Sequence, residues 1–359
     1  MFIKKLTLKD YRSYADREFE FCDKVNILVG KNAQGKTNVL EAIFFMVIGK
    51  SFKTSKEKEV VAWEKENSYI KGEFEKKYRE IEIEFFFSQN AKKSIKIDNI
   101  SIHKMGELLG SVNAVFFSPE ELKLIKDSPE DRRKFMNVVL SQTNKKYFYL
   151  MGRYEKVLAS RNKLLKSGQN IKEIKDTIDI WDRALSELAG KIYLERRQFL
   201  SELAPLAQKA HEYLSSGQEK LDLEYKSSFT GDDYEEKMQK SLAKNLEKDL
   251  KLGYTSVGIH RDEIDLYLNG VEVKNYGSQG QQRTTALSLK LAELEFIKNR
   301  VGEYPILLLD DVFSELDSER RKKLLNFTSK TQTIITCTEF EKPANFDGKI
   351  FEIVKNNQK

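Results

Sequence analysis

The sequence predicts an α/β fold, a nucleotide-binding domain split in two by an inserted, mainly helical lobe. Three observations carry that prediction. Residues 1–127 alternate short β-branched or aromatic runs with turns. Residues 128–252 switch to helical spacing, and residues 253–359 return to strand–helix alternation. Within the first segment, Gly30-Lys31-Asn32-Ala33-Gln34-Gly35-Lys36-Thr37 fits the phosphate-binding pattern G-x-x-x-x-G-K-[ST].

Each element follows from its residues. Strands are expected at Phe2–Leu8, Phe19–Phe21, Val25–Val29, Ser68–Gly72, Ile81–Phe87, Ser94–Ile97 and Ala114–Phe117. Asp98-Asn99 reads as a turn before Ile100–Ile102. Val25–Val29 runs into Gly30, and Asn38–Met46 reads as a helix with Val39, Leu40, Ile43 and Phe44 on one face. Ser128 can cap the first inserted helix, with Pro129 at its first position. Ile178, Trp181, Leu185, Leu188 and Ile192 step by 3, 4, 3 and 4, a short seam that Glu195 interrupts, so a short helical lobe or hairpin is expected. Leu221–Tyr225 reads as a strand inside the insertion. Later come a strand at Ile264–Leu268 with an Asn269-Gly270 turn and a helix at Gln281–Arg300. A strand at Tyr304–Leu309, a helix at Asp317–Phe327 and strands at Thr331–Thr336 and Ile350–Val354 complete the chain.

Strand, Gly-rich turn and helix in that order suit a nucleotide triphosphate. Backbone N–H groups of the turn and helix start face the phosphates, and the helix dipole favours their charge. Gly30, Asn32, Ala33, Gln34, Gly35 and Asn38 would line the site, Lys36 would reach the β- and γ-phosphates, and Thr37 would ligate Mg²⁺. The apolar run Pro305–Leu309 ends in Asp310-Asp311. Asp310 is the expected Mg²⁺ partner beside Thr37, and Asp311 the base or orienter of the attacking water. Gly277-Ser278-Gln279-Gly280-Gln281 precedes a helix and forms a second anion-binding start. One triphosphate is already wrapped by residues 30–37, so Ser278, Gly280 and Gln281 are expected to contact the γ-phosphate from an opposing subunit.

Bulk properties set outer limits. The net charge of +6 permits nucleic acid as a partner without requiring it. No run approaches the ~20 apolar residues of a membrane span, and Met1–Leu6 is too short for a signal peptide. Cys22 and Cys337 read as free thiols, which suits a cytoplasmic protein. His103, His211 and His260 show no metal-ligand spacing.

Ser278–Gln281 is similar to the signature tetrad of ABC-type ATPase heads, and Ser314-Glu315-Leu316-Asp317 to their D-loop. In order, these elements resemble the heads of SMC-like repair proteins. Asn32–Thr37, Asp10-Tyr11-Arg12-Ser13-Tyr14, Phe117–Leu122, Asp131–Asn137, Gly258–Asp262 and Leu309–Asp317 narrow the resemblance to the RecF family of bacterial recombinational repair. It implies an ABC-type ATPase head, mixed sheet with helices, and a nucleotide phosphate contact from Arg12. It further implies an ATP-induced homodimer that clamps double-stranded DNA near single-strand gaps, with RecR and RecO as partners in recombinase loading. Asp311 stands where such heads usually have Glu, Thr336-Cys337-Thr338 where they often have a switch His, and Ala33 where most have Gly. Weak ATP hydrolysis is therefore expected.

Two other classes fit less well. An SMC-type structural ATPase needs a longer insertion than residues 128–252. A transporter's ATP-driving subunit would lack that insertion and the basic balance. Lys50, Lys53, Lys56, Arg132, Arg133, Arg153 and Arg161 are the candidate phosphate contacts on DNA.

Overall fold

The computed structural model describes residues 1–167, 171–342 and 346–354. The chain divides into two compact units. One comprises Met1–Leu122, Tyr213–Ser216 and Ala286–Lys359; the other comprises Lys123–Glu212 and Gly217–Thr285.

The first unit holds two sheets. β1 (Phe2–Tyr11), β2 (Tyr14–Glu20), β4 (Asn67–Glu75), β5 (Glu80–Ser88), β6 (Ser94–Ile97) and β7 (Ile100–Ile102) form an antiparallel sheet in the order β2-β1-β4-β5-β6-β7. β3 (Val25–Val29), β8 (Ala114–Phe117), β12 (Ile306–Asp310), β13 (Thr333–Cys337) and β14 (Gly348–Glu352) form a parallel sheet in the order β14-β3-β13-β12-β8. β4 alternates buried and half-buried residues, whereas β8 and β13 are buried throughout. That difference follows from one covered face against two.

Helix α1 (Lys36–Ile48) touches both sheets. The sequence placed Val39, Leu40, Ile43 and Phe44 on a single face; ten positions from Lys36 to Val47 are in fact buried, including Phe45, Met46 and Glu41. A helix sandwiched between sheets is apolar all round. Phe45 meets Phe85 and Phe87 edge-on at 5.3 and 5.1 Å, while Phe44 packs against Phe116 at 5.7 Å. Burying such rings contributes about 2–3 kcal/mol each and fixes the helix whose N-terminus carries the phosphate loop. The Asp98-Asn99 turn forms as expected, with φ of 50° and 65°.

The second unit contains β9 (Leu221–Lys226), β10 (Glu263–Leu268) and β11 (Val271–Glu272), ordered β11-β10-β9. The sequence ended the insertion at residue 252, but the compact unit runs on to Thr285. The reason is strand pairing: six residues of β9 pair antiparallel with β10, and a lone strand cannot satisfy its backbone. The short lobe expected from the Ile178–Ile192 seam contains a 44-residue helix, Ile171–Leu214. Its buried spacing resumes beyond Glu195 at Phe199, Leu203 and Ala207. Glu195 is not a break; it accepts from the Asn144 amide at 2.9 Å.

Arg132 and Arg161 leave the set of DNA-contact candidates. Arg161 is fully buried and bonds Asp182, Asp249 and Thr255. Arg132 grips Glu263 and the Leu124 carbonyl. Long cations at helical spacing look alike in sequence whether they face water or an internal carboxylate.

Candidate active site

β3 delivers the chain to Gly30, and α1 starts at Lys36. A Cβ on Gly30 would lie 2.3 Å from the Ile353 carbonyl, and Gly35 has φ 103° with Ser13 Oγ 2.5 Å from where its Cβ would be. Both positions therefore demand glycine. Ala33 also takes a left-handed φ of 64°, at a cost of about 1 kcal/mol that a glycine would avoid. Asn32, Ala33 and Lys31 are exposed, with Gln34 half-buried. Tyr14 donates its hydroxyl to the Gly35 carbonyl at 3.2 Å, and burial raises the Tyr14 pKa. A shallow groove flanks the loop, lined by Ser13, Tyr14, Arg17, Gln34 and Val354 among others.

Lys36 is buried and turns its ammonium onto the loop's own carbonyls, Gly30 and Lys31, the latter at 2.9 Å. The Asp310 carboxylate gathers two hydroxyls: Thr37 Oγ1 donates to Oδ1 at 2.9 Å and Thr336 Oγ1 at 2.7 Å. Thr336 then accepts from the Asp311 N–H at 3.0 Å. Asp311 sits at φ 52°, a left-handed residue at the strand tip. The structure thus brings Thr37 and Asp310 together and sets the Lys36 ammonium against the loop. Thr336 joins them as the hydroxyl that holds the Asp310 carboxylate and the Asp311 backbone N–H. Burial pushes the neighbouring Cys337 thiol up to about 11, so it stays protonated.

The oxygen set suits Mg²⁺: a carboxylate beside a hydroxyl, both hard ligands. Among the described residues no three His, Cys, Asp or Glu side chains cluster to hold a metal. The ion would therefore draw its remaining ligands from nucleotide phosphates and water.

Arg12 stands at the β1–β2 turn with φ 52°. Its guanidinium grips Glu41, fully buried in α1, at 3.0 and 2.6 Å, and donates to the Glu59 carbonyl at 2.8 Å. Ser51 donates to the same carboxylate. Asn38 donates to Ser13 Oγ at 3.0 Å and accepts from Lys53 Nζ at 2.8 Å. Glu41 escaped the sequence reading, although a Glu amid apolar helix positions is the signal for a buried partner.

In the second unit, Ser278 caps the helix Gln279–Val301. Gln281 N–H donates to Ser278 Oγ at 3.3 Å, and Ser278 N–H to Gln281 Oε1 at 2.8 Å. This reciprocal pair is a capping box. Ser278 N–H, expected to face a γ-phosphate, is thus held by Gln281. The N–H groups of Gln279 and Gly280 lack intrahelical acceptors by position. Among the described residues a Cβ on Gly280 would meet only Ser278 Oγ, at 3.9 Å, an ordinary contact distance. In the D-loop segment, Asp317 caps the helix Ser318–Thr328 by accepting from Arg320 N–H. The side chains of Ser314 and Glu315 lie outside the described residues.

Residues 2–359 match the family model described as RecF/RecN/SMC N terminal domain. The chain is 42% identical over 361 residues to a "DNA replication and repair protein RecF" of Clostridium tetani, covering 98% of each chain. It is 43% identical to the protein so named in Clostridium botulinum, covering 95% of this chain and 93% of the relative. A solved structure of the recombination mediator protein RecF with ATP superimposes at a TM-score of 0.91 and 36% identity, covering 99% of this chain and 96% of that one. The Smc head domain of Pyrococcus furiosus shares the fold, at a TM-score of 0.54 and 17% identity. The fold is thus that of an SMC- and ABC-type ATPase head with a helical insertion, and the chain belongs to the RecF family of DNA replication and repair proteins.

Proposed function

We propose that this protein binds ATP and Mg²⁺ at the Gly30–Thr37 loop, closes on it as a two-fold dimer, and in that state clamps duplex DNA near single-strand gaps. One observation supports this most: Thr37 and Thr336 hydroxyls converge on Asp310 at the foot of a Gly-rich loop. Mg²⁺ would neutralise charge developing between the β- and γ-phosphates. Lys36 would exchange its two carbonyl partners for phosphate oxygens. The signature helix start of a second copy would complete the γ-phosphate shell through backbone N–H groups.

Hydrolysis would be slow. Asp311 would orient the attacking water, but its side chain is one methylene shorter than the Glu usual there. Thr336 lacks a basic nitrogen and already donates to Asp310. Loss of the γ-phosphate would remove the contacts that favour the dimer, so the population returns to single chains. A related solved structure is described as a recombination mediator protein RecF in the RecFOR pathway, and that description supports the reading of RecO and RecR as partners.

Retention on immobilised gapped duplex, with and without ATP–Mg²⁺, tests the reading. Retention that needs ATP and vanishes with Lys36→Ala supports it. Equal retention without nucleotide overturns it.

A further inference from the structure

The capping box at Ser278 has a third member. Gln281 Nε2 donates to Glu219 Oε1 at 2.7 Å. The other carboxylate oxygen, Oε2, lies 3.1 Å from Nε2 of His211, a fully buried ring. His211 is near the end of the helix Ile171–Leu214, and Glu219 stands just before β9.

The chemistry of this chain is directional. A side-chain amide has one accepting and one donating end, and a carboxylate only accepts. Glu219 therefore takes the NH₂ of Gln281 and leaves its carbonyl facing the Ser278 N–H. Turning the amide over would set carbonyl against carboxylate and NH₂ against N–H. His211 in turn ties down the second oxygen, so the carboxylate cannot rotate freely.

We propose that Glu219, backed by His211, is the positioning residue of the signature loop. It fixes the orientation of Gln281, Gln281 fixes Ser278, and the closed turn presents the Gln279 and Gly280 N–H groups for a γ-phosphate. Both residues are exposed. The proposal rests on the reading above, that this loop meets the nucleotide of a second copy. It adds two residues outside every motif the sequence displays.

The test separates nucleotide binding from dimer formation, using the full chain and ATP–Mg²⁺. Glu219→Gln keeps size but cannot accept at both ends. Glu219→Lys donates and forces the amide to turn. Both variants should bind ATP as a monomer within twofold of wild type, because the phosphate loop is untouched. The protein concentration at which ATP drives dimerisation should rise roughly tenfold, as loss of one hydrogen bond to a charged group implies, and more for Glu219→Lys. A purely architectural role would lower the melting temperature and ATP affinity together, which overturns the proposal. So does wild-type dimerisation in both variants, leaving the dimer reading intact. A wild-type chain that binds ATP without dimerising overturns both.

Discussion

Asp262 and Asp310 are aspartates at strand ends, and the molecule treats them in opposite ways. Asp262, just before β10, is fully buried and takes bonds from Arg196, Tyr225 and Ser227. Arg196 is shared further with Tyr147, Asn137 and the Ile259 carbonyl. Burial raises the Asp262 pKa against the pull of Arg196. Asp310, at the tip of β12, is held by two neutral hydroxyls. A carboxylate whose acceptor sites are filled by a cation and phenol is architecture. One oriented by hydroxyls alone keeps its charge available to an incoming cation.

The largest effect is expected at Arg196. Arg196→Ala leaves Asp262 buried without its cation and should cost about 3–5 kcal/mol in urea unfolding. Arg196→Met with Asp262→Leu should recover most of that loss. If the single substitution is nearly neutral, the network is not structural as described.

Lys36→Ala should do the reverse. ATP affinity should drop by about 100-fold, or ~3 kcal/mol, as expected for losing charge-assisted bonds. The unfolding midpoint should stay close to wild type. Calorimetric titration and a melt on the same sample check both halves.

A smaller effect sits at His260. Its Nε2 donates to the Thr255 carbonyl at 3.0 Å, so Nδ1 accepts from Tyr154 at 2.7 Å, and burial holds the ring down at about 4. The unfolded ring titrates near 6.5. Between those values the unfolded chain binds the extra proton, so stability is complete above pH 6.5 and declines as pH falls toward 4. From pH 7 to 5 the loss should be about 1–2 kcal/mol, and His260→Gln should flatten it. Urea midpoints at both pH values decide.

Smallest in stability is Gly280→Ala, within about 1 kcal/mol of wild type because a Cβ there meets open space. The added methyl should nonetheless abolish ATP-driven dimerisation, seen by size-exclusion chromatography. Retained dimerisation would place the signature loop away from the opposing nucleotide.

Much of this was legible in the residues. β3, β6 and β8 fall at their expected ends because short β-branched and aromatic runs are bounded by turns. Lys36, Thr37 and Asp310 were legible because phosphate chemistry restricts both residue type and spacing. The all-round burial of α1 was not, since one apolar stripe looks alike whether a second sheet covers the other side or not. Glu41, Glu219 and His211 were hidden for a related reason. Their partners lie 29, 62 and 8 residues away, and nothing local marks a polar residue as paired. Arg132 and Arg161 misled in the same way: a basic residue at helical spacing does not reveal which carboxylate waits inside.

In the proposed mechanism ATP joins two copies through the phosphate loop of one and the signature helix of the other. Multi-angle light scattering of the purified chain, with and without ATP–Mg²⁺, tests it directly. The account predicts that the 41.8 kDa mass doubles with ATP in the wild type and stays single in Lys36→Ala and Ser278→Arg. An unchanged mass in wild-type protein with ATP demonstrably bound would contradict it, and the protein would then act as a monomeric nucleotide switch.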